Sequence, residues 1–332
     1  MNKKTLESQI PPLIREKLGV PVKRLERIPT GLFNHTYILS FEKPIKEVNS
    51  QPFHSDKLVI RIAPPPDAGF LFYEKDMMRQ EPQIHQIIQA QTSIPVPTIY
   101  VHDFSREMIA RDYLLMEYLE RTALSQAYWM NTSQRKKVFR KVGEYLQEAH
   151  AITSPQYGYL GAHQPMEPQA TWWEAFKIMW NKMIEDVHHT GLYSEEESRK
   201  FRAILAESKA HFAPRSEVPA SLLHMDIWAQ NILVNRQGEV TGIVDWDRGL
   251  WGDPEIEYAV LDYCGVTGEA FWAGYGLRCP QNRSRQVRDL FYLLYEHQKY
   301  IPIHIWRRKN QSRALAYKKD CLSLLSQLSK LI

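Results

Sequence analysis

Cysteine is scarce in the 332-residue sequence, which contains only Cys264, Cys279 and Cys321. An odd number of cysteines without Cys-x-x-Cys spacing argues against both a disulfide framework and a structural zinc site. No apolar run approaches the ~18 residues that a membrane span needs. Glu7, Gln9 and a pair of prolines interrupt the basic start of the chain, so it does not resemble a signal peptide. These absences predict a cytoplasmic protein without a membrane partner.

The common nucleotide-binding motifs are also missing. Neither a Walker A sequence nor Gly-x-Gly-x-x-Gly occurs, which disfavours P-loop and dinucleotide-binding folds. The formal net charge is +4, but the lysines and arginines are dispersed, so we expect no nucleic-acid partner. With 44% hydrophobic residues, the chain is long enough for one large domain or two lobes.

A spacing of three polar residues carries the most information. Asp226 and Asn231 are five residues apart, as are the Asp and Asn of the protein-kinase catalytic loop. Residues 232–234 and 240–244 are predicted to form a hairpin that returns Asp245 to the side of Asn231. Phosphoryl transfer requires one carboxylate that faces the acceptor hydroxyl and further oxygen ligands for Mg²⁺. We therefore predict that Asp226 orients or deprotonates the acceptor and that Asn231 and Asp245 bind Mg²⁺.

Two neighbouring residues have other expected roles. His224 is expected to pack and to hydrogen-bond the loop backbone rather than to transfer protons. Asp247 follows Asp245 by two residues, so on a strand the two side chains would share a face. The sequence leaves open whether Asp247 is an extra metal ligand or a solvated neighbour.

At these residues the sequence resembles the aminoglycoside phosphotransferase and choline kinase family of small-molecule kinases. The matching residues are His224-x-Asp226-x-x-x-x-Asn231, Asp245-Trp246-Asp247 and Trp251-Gly252-Asp253-Pro254. Glu257 stands where an Asp is common, and we expect this departure to have little consequence for the chemistry. The resemblance implies a bilobal protein-kinase-like α+β fold. Residues 1–117 would form a small β-rich nucleotide-binding lobe, and residues 118–332 a larger, mostly helical catalytic and substrate-binding lobe.

The amino-terminal part contains the phosphate-binding residues that the resemblance implies. Residues 28–39 are predicted to form a strand, a tight turn and a second strand. Gly31 and Asn34 in that turn match the family's loop over the triphosphate. Arg61, on the next predicted strand, takes the place of the kinase cation that holds the α- and β-phosphates, with Lys57 as the reserve candidate.

Further residues are expected to position the rest of the nucleotide. A helix predicted over residues 73–91 places Glu81 among apolar positions, where an unpaired carboxylate would be costly. We expect Glu81 to pair with Arg61 and so to position ATP. Met116 and Tyr118 fall in the stretch that forms the interlobe hinge of the resembling enzymes, where backbone groups hydrogen-bond adenine.

The carboxy-terminal part is expected to shape the acceptor pocket. Helices are predicted over residues 286–306 and 314–331, and a loop over residues 265–285. Acidic and aromatic residues lie together just before that loop: Trp251, Glu255, Glu257, Tyr258, Asp262 and Tyr263. They would either favour a cationic amine through charge and cation–π contacts or cap and pack the helix after Pro254. The sequence leaves both interpretations open.

The sequence thus predicts an ATP- and Mg²⁺-dependent phosphotransferase that acts on a hydroxyl of a small molecule. Aminoglycoside-like, amino-alcohol and sugar acceptors all fit. The alternative from another class is a catalytically silent, kinase-like protein that binds nucleotide or has a regulatory role. A third hypothesis is a metal hydrolase that uses His224, Asp226 and Asp245. The acceptor and the oligomeric state do not follow from the sequence.

Overall fold

The computed structural model describes residues 5–29, 33–120, 122–161, 163–215, 217–277 and 281–332. Two residues named above, Gly31 and Cys279, lie outside these ranges. The chain forms two compact units, which are Met1–Asp67 with Val96–Glu120 and Ala68–Pro95 with Arg121–Ile332. The first unit is rich in β-strand and the second is mostly helical.

A five-stranded antiparallel sheet forms the body of the first unit. Its strands are β1 (Arg24–Ile28), β2 (His35–Val48), β3 (Gln51–Ile62), β4 (Ile99–Asp103) and β5 (Tyr113–Glu117), in the order β1-β2-β3-β5-β4. The antiparallel pairing of β1 with β2 confirms the two strands predicted within residues 28–39, whereas residues 30–32 of the predicted turn lie outside the described ranges. Helix α1 (Leu6–Leu18) packs its buried Ile10, Leu13 and Ile14 into the apolar cluster of the sheet.

Strand β3 has core side chains on one face and Arg61, a residue predicted to bind nucleotide, on the other. Ile60 and Ile62 are fully buried in the cluster that contains the α1 side chains. Successive side chains of a strand point to opposite faces, so Arg61 lies on the other face of the sheet. Val59 is the register partner of Met116 on β5, which places Met116 on the same face as Arg61.

The second unit combines helices with two small sheets. Its helices are α2 (Glu81–Gln91), α3 (Thr132–Ala151), α4 (Trp172–His189), α5 (Glu195–Glu207), α6 (Lys209–Phe212), α7 (Pro254–Tyr263), α8 (Glu269–Tyr275), α9 (Arg283–Pro302) and α10 (Gln311–Leu331). Its strands are β6 (Thr122–Ala123), β7 (Thr153–Ser154), β8 (Gly158–Tyr159), β9 (Ala220–Leu223), β10 (Ile232–Val234), β11 (Val240–Ile243) and β12 (Leu250–Gly252). The sheet orders are β11-β10-β6 and β7-β9-β12-β8. Within the described residues, each helix is too short or too polar to cross a lipid bilayer.

Aromatic side chains fix α4 against α9. Phe176 and Trp180 of α4 and Phe291 and Tyr292 of α9 are all fully buried. The rings of Trp180 and Phe291 are 5.3 Å apart and those of Phe176 and Tyr292 are 5.2 Å apart, both edge to face. Such pairs add ~0.5–1.5 kcal/mol to the burial of the rings. The core therefore holds α9 firmly, and later turns of this helix contribute to the site described below.

The helix predicted over residues 73–91 is shorter than expected. It begins at Glu81, because Met77–Gln80 form a 3-10 turn. Pro82 stands in its first turn, where the absent N–H of proline has no partner to lose. The apolar spacing across both segments reflects burial rather than one continuous helix.

The loop predicted over residues 265–285 contains helix α8, which packs very closely against α3. A Cβ added to Gly143 would lie 2.2 Å from the backbone oxygen of Phe271, and one added to Gly274 would lie 1.9 Å from that of Arg140. Isolated helices of this length are unstable in water. Close packing on α3, rather than local sequence preference, therefore stabilises α8.

Enlarging either glycine should weaken this packing. We expect Gly143→Ala and Gly274→Ala each to lower the free energy of unfolding by about 1–3 kcal/mol, because the added methyl group pushes the two backbones apart. Denaturant unfolding followed by tryptophan fluorescence measures the loss. Gly268→Ala is the matched control, since nothing lies within 4 Å of a Cβ at that position. Equal losses in all three variants would show that α3 and α8 are not packed this closely.

Candidate active site

The loop after strand β9 carries the predicted catalytic residue. Asn231 donates from Nδ2 to the backbone oxygen of Asp226 at 2.9 Å and to its Oδ2 at 3.2 Å. The Asp226 side chain is 35% exposed, whereas Asn231 is only 5% exposed. The structure thus brings these two predicted residues together and leaves the carboxylate partly accessible.

Strands β10 and β11 return the chain to Asn231. Ile232 pairs with Ile243, and the Val244 N–H donates to the Asn231 backbone oxygen at 3.0 Å. The predicted hairpin is confirmed. Asp245 therefore lies one residue beyond a backbone hydrogen bond to Asn231.

Two residues of this region have left-handed backbone conformations, although neither is glycine. Met225 has a φ of 66° and Asp245 a φ of 73°. Such conformations cost ~1–3 kcal/mol each and persist only where the surroundings hold them. At Asp245 the backbone leaves the strand and enters a 3-10 turn, Trp246–Arg248. Asp245 and Asp247 consequently do not share a strand face, and Asp247 is buried rather than solvated.

Asn231 and Asp245 carry oxygen atoms of the kind that Mg²⁺ prefers. The amide nitrogen of Asn231 donates its hydrogen bonds to Asp226, so the amide oxygen is the atom that can bind a cation. Within the described ranges, no three His, Cys, Asp or Glu side chains are grouped closely enough to hold a metal ion. Because Mg²⁺ usually takes one or two protein ligands together with water and phosphate, an amide and a carboxylate fit it.

His224 holds the backbone of the loop through both ring nitrogens. Nε2 donates to the Val244 backbone oxygen at 3.0 Å, and Nδ1 accepts from the Asp226 N–H at 3.2 Å. Its ring lies 4.4 Å from that of Trp246. The predicted packing role is confirmed, and neither nitrogen is left to ligate the metal of a hydrolase.

Glu257 supports the loop that carries Asp226, a role that sequence reasoning missed. Its Oε1 accepts from the N–H of Met225 at 2.6 Å and from the N–H of His224 at 3.0 Å. Its Oε2 accepts from His150 Nε2 at 2.7 Å. This carboxylate thus fixes the two residues that precede Asp226, and the expectation that Glu in place of Asp has little consequence for the chemistry stays a prediction. The position of Glu257 shortly after Gly-Asp-Pro was the only indication of this role in the sequence.

A chain of hydrogen bonds supports the Glu257 carboxylate. Tyr258 donates to the Tyr275 hydroxyl at 2.6 Å, and that hydroxyl lies 2.8 Å from His150 Nδ1. Burial by itself raises the pKa of Glu257, but the hydrogen bond and charge of His150 outweigh it together with the other polar contacts, so the pKa lies below its usual value. Helix α8 supplies Tyr275 and thereby contacts the histidine that holds the carboxylate.

Two cations approach Asp226 from its other side. Arg248 Nη1 lies 3.6 Å from Asp226 Oδ1 and donates to the Met225 backbone oxygen at 2.7 Å. Lys299 Nζ lies 4.0 Å from the same Oδ1. Both cations pair with Glu296, which is 1% exposed. Burial raises the pKa of Glu296, but Lys299 and Arg248 overcome this effect and lower it to about 2.

Gln80 ties the turn before α2 to the segment after Asp245. Its Nε2 donates to the backbone oxygens of Asp247 at 2.6 Å and Gly249 at 2.9 Å. Its Oε1 accepts from the Leu160 N–H at 3.0 Å. A fully buried amide thus satisfies backbone groups from two distant segments.

The acidic residues considered for a cationic acceptor are engaged within the protein. Arg288 makes two hydrogen bonds to Glu255, at 2.6 Å and 3.1 Å. Asp262 accepts from the Thr267 hydroxyl at 2.6 Å. Glu257 in turn holds the loop before Asp226. The contacts of Glu255, Glu257 and Asp262 therefore favour the interpretation that these acids cap and pack α7 over binding of a cationic amine.

The residues predicted to bind nucleotide occupy defined positions in their own units. Asn34, Arg61 and Met116 of the first unit are buried, and Tyr118 is half-buried. Glu81 begins α2 in the second unit. Their roles toward a nucleotide, and the pairing of Arg61 with Glu81, remain predictions.

Glu257→Gln should destabilise the protein in a pH-dependent way. The ionised carboxylate stabilises the fold fully above its unfolded pKa, near 4.5, and this contribution is lost as the pH falls through the lower folded pKa. We expect a loss of about 1–3 kcal/mol in unfolding free energy at pH 7 that shrinks below pH 4.5. Urea unfolding across this pH range measures it, with the more exposed Glu144→Gln as control. A pH-independent difference would contradict the assignment.

Comparison with known proteins gives the family and the fold. The model of the phosphotransferase enzyme family (APH) matches residues 47–278, well over half of the chain. A search of curated proteins finds no match.

Solved structures resemble the whole chain. A candidate fructosamine-3-kinase from Haemophilus somnus 129PT is 21% identical with a TM-score of 0.66, and the alignment covers 96% of each chain. A thermostable mutant of aminoglycoside phosphotransferase APH(4)-Ia, in a ternary complex with AMP-PNP and hygromycin B, is 17% identical with a TM-score of 0.63 and coverage of 96% and 98%. The gentamicin complex of APH(2'')-IIa is 15% identical with a TM-score of 0.63 and coverage of 98% and 97%.

These findings confirm the predicted kinase-like α+β fold, with its β-rich amino-terminal part and helical carboxy-terminal part. They also confirm the resemblance drawn from His224 to Pro254. The chain belongs to the phosphotransferase enzyme family.

Proposed function

We propose that this protein transfers the γ-phosphoryl group of ATP to a hydroxyl of a small molecule, with Mg²⁺ as a cofactor. The observation that carries the proposal is the hydrogen bonding of Asn231 to Asp226 beside the hairpin that ends at Asp245. It provides a partly exposed carboxylate close to oxygen ligands for a hard cation, as phosphoryl transfer requires. Membership of the phosphotransferase family supports this class of reaction.

Asp226 is proposed to accept the hydrogen bond of the acceptor hydroxyl. It takes the proton as the new O–P bond forms and the bond between the γ-phosphorus and the β–γ bridging oxygen breaks, which releases ADP. The contact of Oδ2 with Asn231 and of Oδ1 with Arg248 and Lys299 holds the carboxylate in one orientation. Asn231 and Asp245 would hold Mg²⁺, which would neutralise charge on the transferred phosphate.

The nucleotide-binding residues are proposed from the family pattern. Gly31 and Asn34 would contact the triphosphate, Arg61 and Glu81 would position it, and Met116 and Tyr118 would lie at adenine. The guanidinium of Arg61 remains charged when buried and suits phosphate oxygens. The AMP-PNP complex of APH(4)-Ia supports an adenine nucleotide as the donor.

The acceptor is proposed only as a hydroxyl-bearing small molecule. Gentamicin and hygromycin B, which are bound in similar structures, are of this kind. Aminoglycoside-like, amino-alcohol and sugar acceptors remain the candidates. We place the reaction in the cytoplasm, where ATP is available.

Asp226→Asn tests the reaction directly. We expect it to lower kcat by ~10²–10⁴-fold, because an amide cannot take the proton of the acceptor. An acceptor panel with ATP and Mg²⁺, scored by a mass gain of one phosphoryl group, identifies the substrate for this measurement. The exposed Asp56→Asn serves as control. Undiminished turnover in Asp226→Asn would overturn the assignment, and Mg²⁺-dependent ATP binding without product from any acceptor would favour the catalytically silent alternative.

Asn231→Ala and Asp245→Asn test the metal ligands. Each should raise the Mg²⁺ concentration that gives half-maximal rate by ~10–100-fold, because each weakens or removes one ligand. Titration of the rate with Mg²⁺ measures the shift, with Asp56→Asn again as control. An unchanged Mg²⁺ requirement in both variants would exclude these residues as ligands.

A further inference from the structure

The charge next to Asp226 constrains what the acceptor can carry. Any group that reaches Asp226 Oδ1 also comes close to Lys299 Nζ and Arg248 Nη1, at 4.0 Å and 3.6 Å from that oxygen. The carboxylate beside both cations, Glu296, is buried and paired with each of them. An ammonium group on the acceptor would meet cations here and find this carboxylate already engaged.

A row of rings leads away from Lys299, and we call it the aromatic strip: Tyr300, Tyr317 and His304. Lys299 Nζ lies 4.9 Å from the Tyr300 ring. Tyr300 stacks on Tyr317 at 4.8 Å with 22° between the planes, and His304 stacks on Tyr317 at 5.6 Å with 21°. All three side chains are half-buried. The strip therefore offers partly accessible ring surface that begins beside the Asp226 site.

Basic side chains border the far end of the strip. Arg313 lies 5.8 Å from the centre of the Tyr317 ring and is exposed, as is Arg308. The Arg308 N–H donates to the backbone oxygen of Ile303, the residue before His304, at 3.0 Å. Burial lowers the pKa of His304, and the charges of Arg313 and Arg308 lower it further. We call these two residues the basic rim.

The segment as a whole has one sign of charge. Residues 299–313 contain lysines and arginines but neither Asp nor Glu. Two acids neighbour the segment, Asp320 on α10 and Glu296 on α9. Burial lowers the pKa of His297, and the charges of these two acids oppose the shift. Arg307 is paired with Glu74 at 3.0 Å, so we do not count it in the rim.

We infer that the acceptor carries an anionic group, which binds at the aromatic strip and basic rim while its hydroxyl reaches Asp226. This inference deepens the proposed function and rests on it. The exposed rim attracts an anion and repels a polycation, and Lys299, which is paired with Glu296, adds a cation near the reacting hydroxyl. The ring surface of the strip accommodates the apolar or sugar part of the molecule between the two ends.

The test compares charge-reversed and wild-type enzyme on the acceptors that the panel identifies. The panel includes gluconate, sorbitol and glucamine, which share one carbon chain and differ in the charge of one end group. We expect the best acceptor to be anionic. In the Arg308→Glu, Arg313→Glu double variant, its KM should rise by about five- to tenfold while kcat stays near the wild-type value.

The controls separate this inference from the proposed function. Both rim residues are exposed, so their replacement leaves the buried pairs of Glu296 intact. Lys137→Glu on α3 makes a similar change of charge at another exposed position and should leave KM unchanged. A neutral or cationic best acceptor, or a KM that the double variant does not alter, would overturn the inference while turnover still supports a kinase. The absence of product with every acceptor would instead overturn the proposed function, and this inference with it.

Discussion

The hydrogen bonds that the Glu257 carboxylate accepts from the N–H groups of His224 and Met225 fix the backbone from which Asp226 extends. Two successive N–H groups converge on one anion, as in the backbone nests that bind phosphate. Burying an unpaired carboxylate would cost several kcal/mol. Here the two backbone donors and His150 stabilise the charge of the carboxylate. In return, the carboxylate holds Met225 in its left-handed conformation.

Both backbone polar groups of Met225 are hydrogen-bonded. Its N–H donates to Glu257 on α7, and its carbonyl accepts from Arg248 in the turn after Asp245. The loop that carries Asp226 is therefore fixed by the two segments that follow it in the chain. This arrangement keeps Asp226 in place before any ligand arrives, which is the form of preorganisation that lowers reaction barriers.

The sequence was most informative where function needs fixed spacing between residues that are close in the chain. Asp226, Asn231 and the hairpin to Asp245 belong to one short segment, and the structure confirms the hairpin and adds a contact between Asn231 and Asp226. The contacts around them were not predictable, because they join residues far apart. Gln80 binds the backbone oxygen of Asp247, and Glu257 binds the N–H of Met225, through pairings that no local pattern encodes.

The predicted boundaries of two helical regions were wrong for a related reason. Apolar spacing before α2 indicated burial, but the backbone there forms a 3-10 turn before the helix begins. The loop predicted over residues 265–285 instead contains α8, and Gly143 on α3 and Gly274 on α8 allow the two backbones to approach closely. In both places tertiary packing outweighed local preference.

Glu296 links the proposed acceptor surface to the loop that carries Asp226. It pairs with Lys299, which lies 4.0 Å from Asp226 Oδ1, and with Arg248, which holds Met225. Replacing Lys299 would leave the buried charge of Glu296 with one partner and disturb the support of Asp226, at a cost of several kcal/mol. Replacing Arg308 or Arg313 at the exposed rim disturbs no such pair. Substitutions at the rim can therefore change the acceptor preference at little cost in stability. The residues next to Asp226 are more constrained, because they share the ion pairs of Glu296.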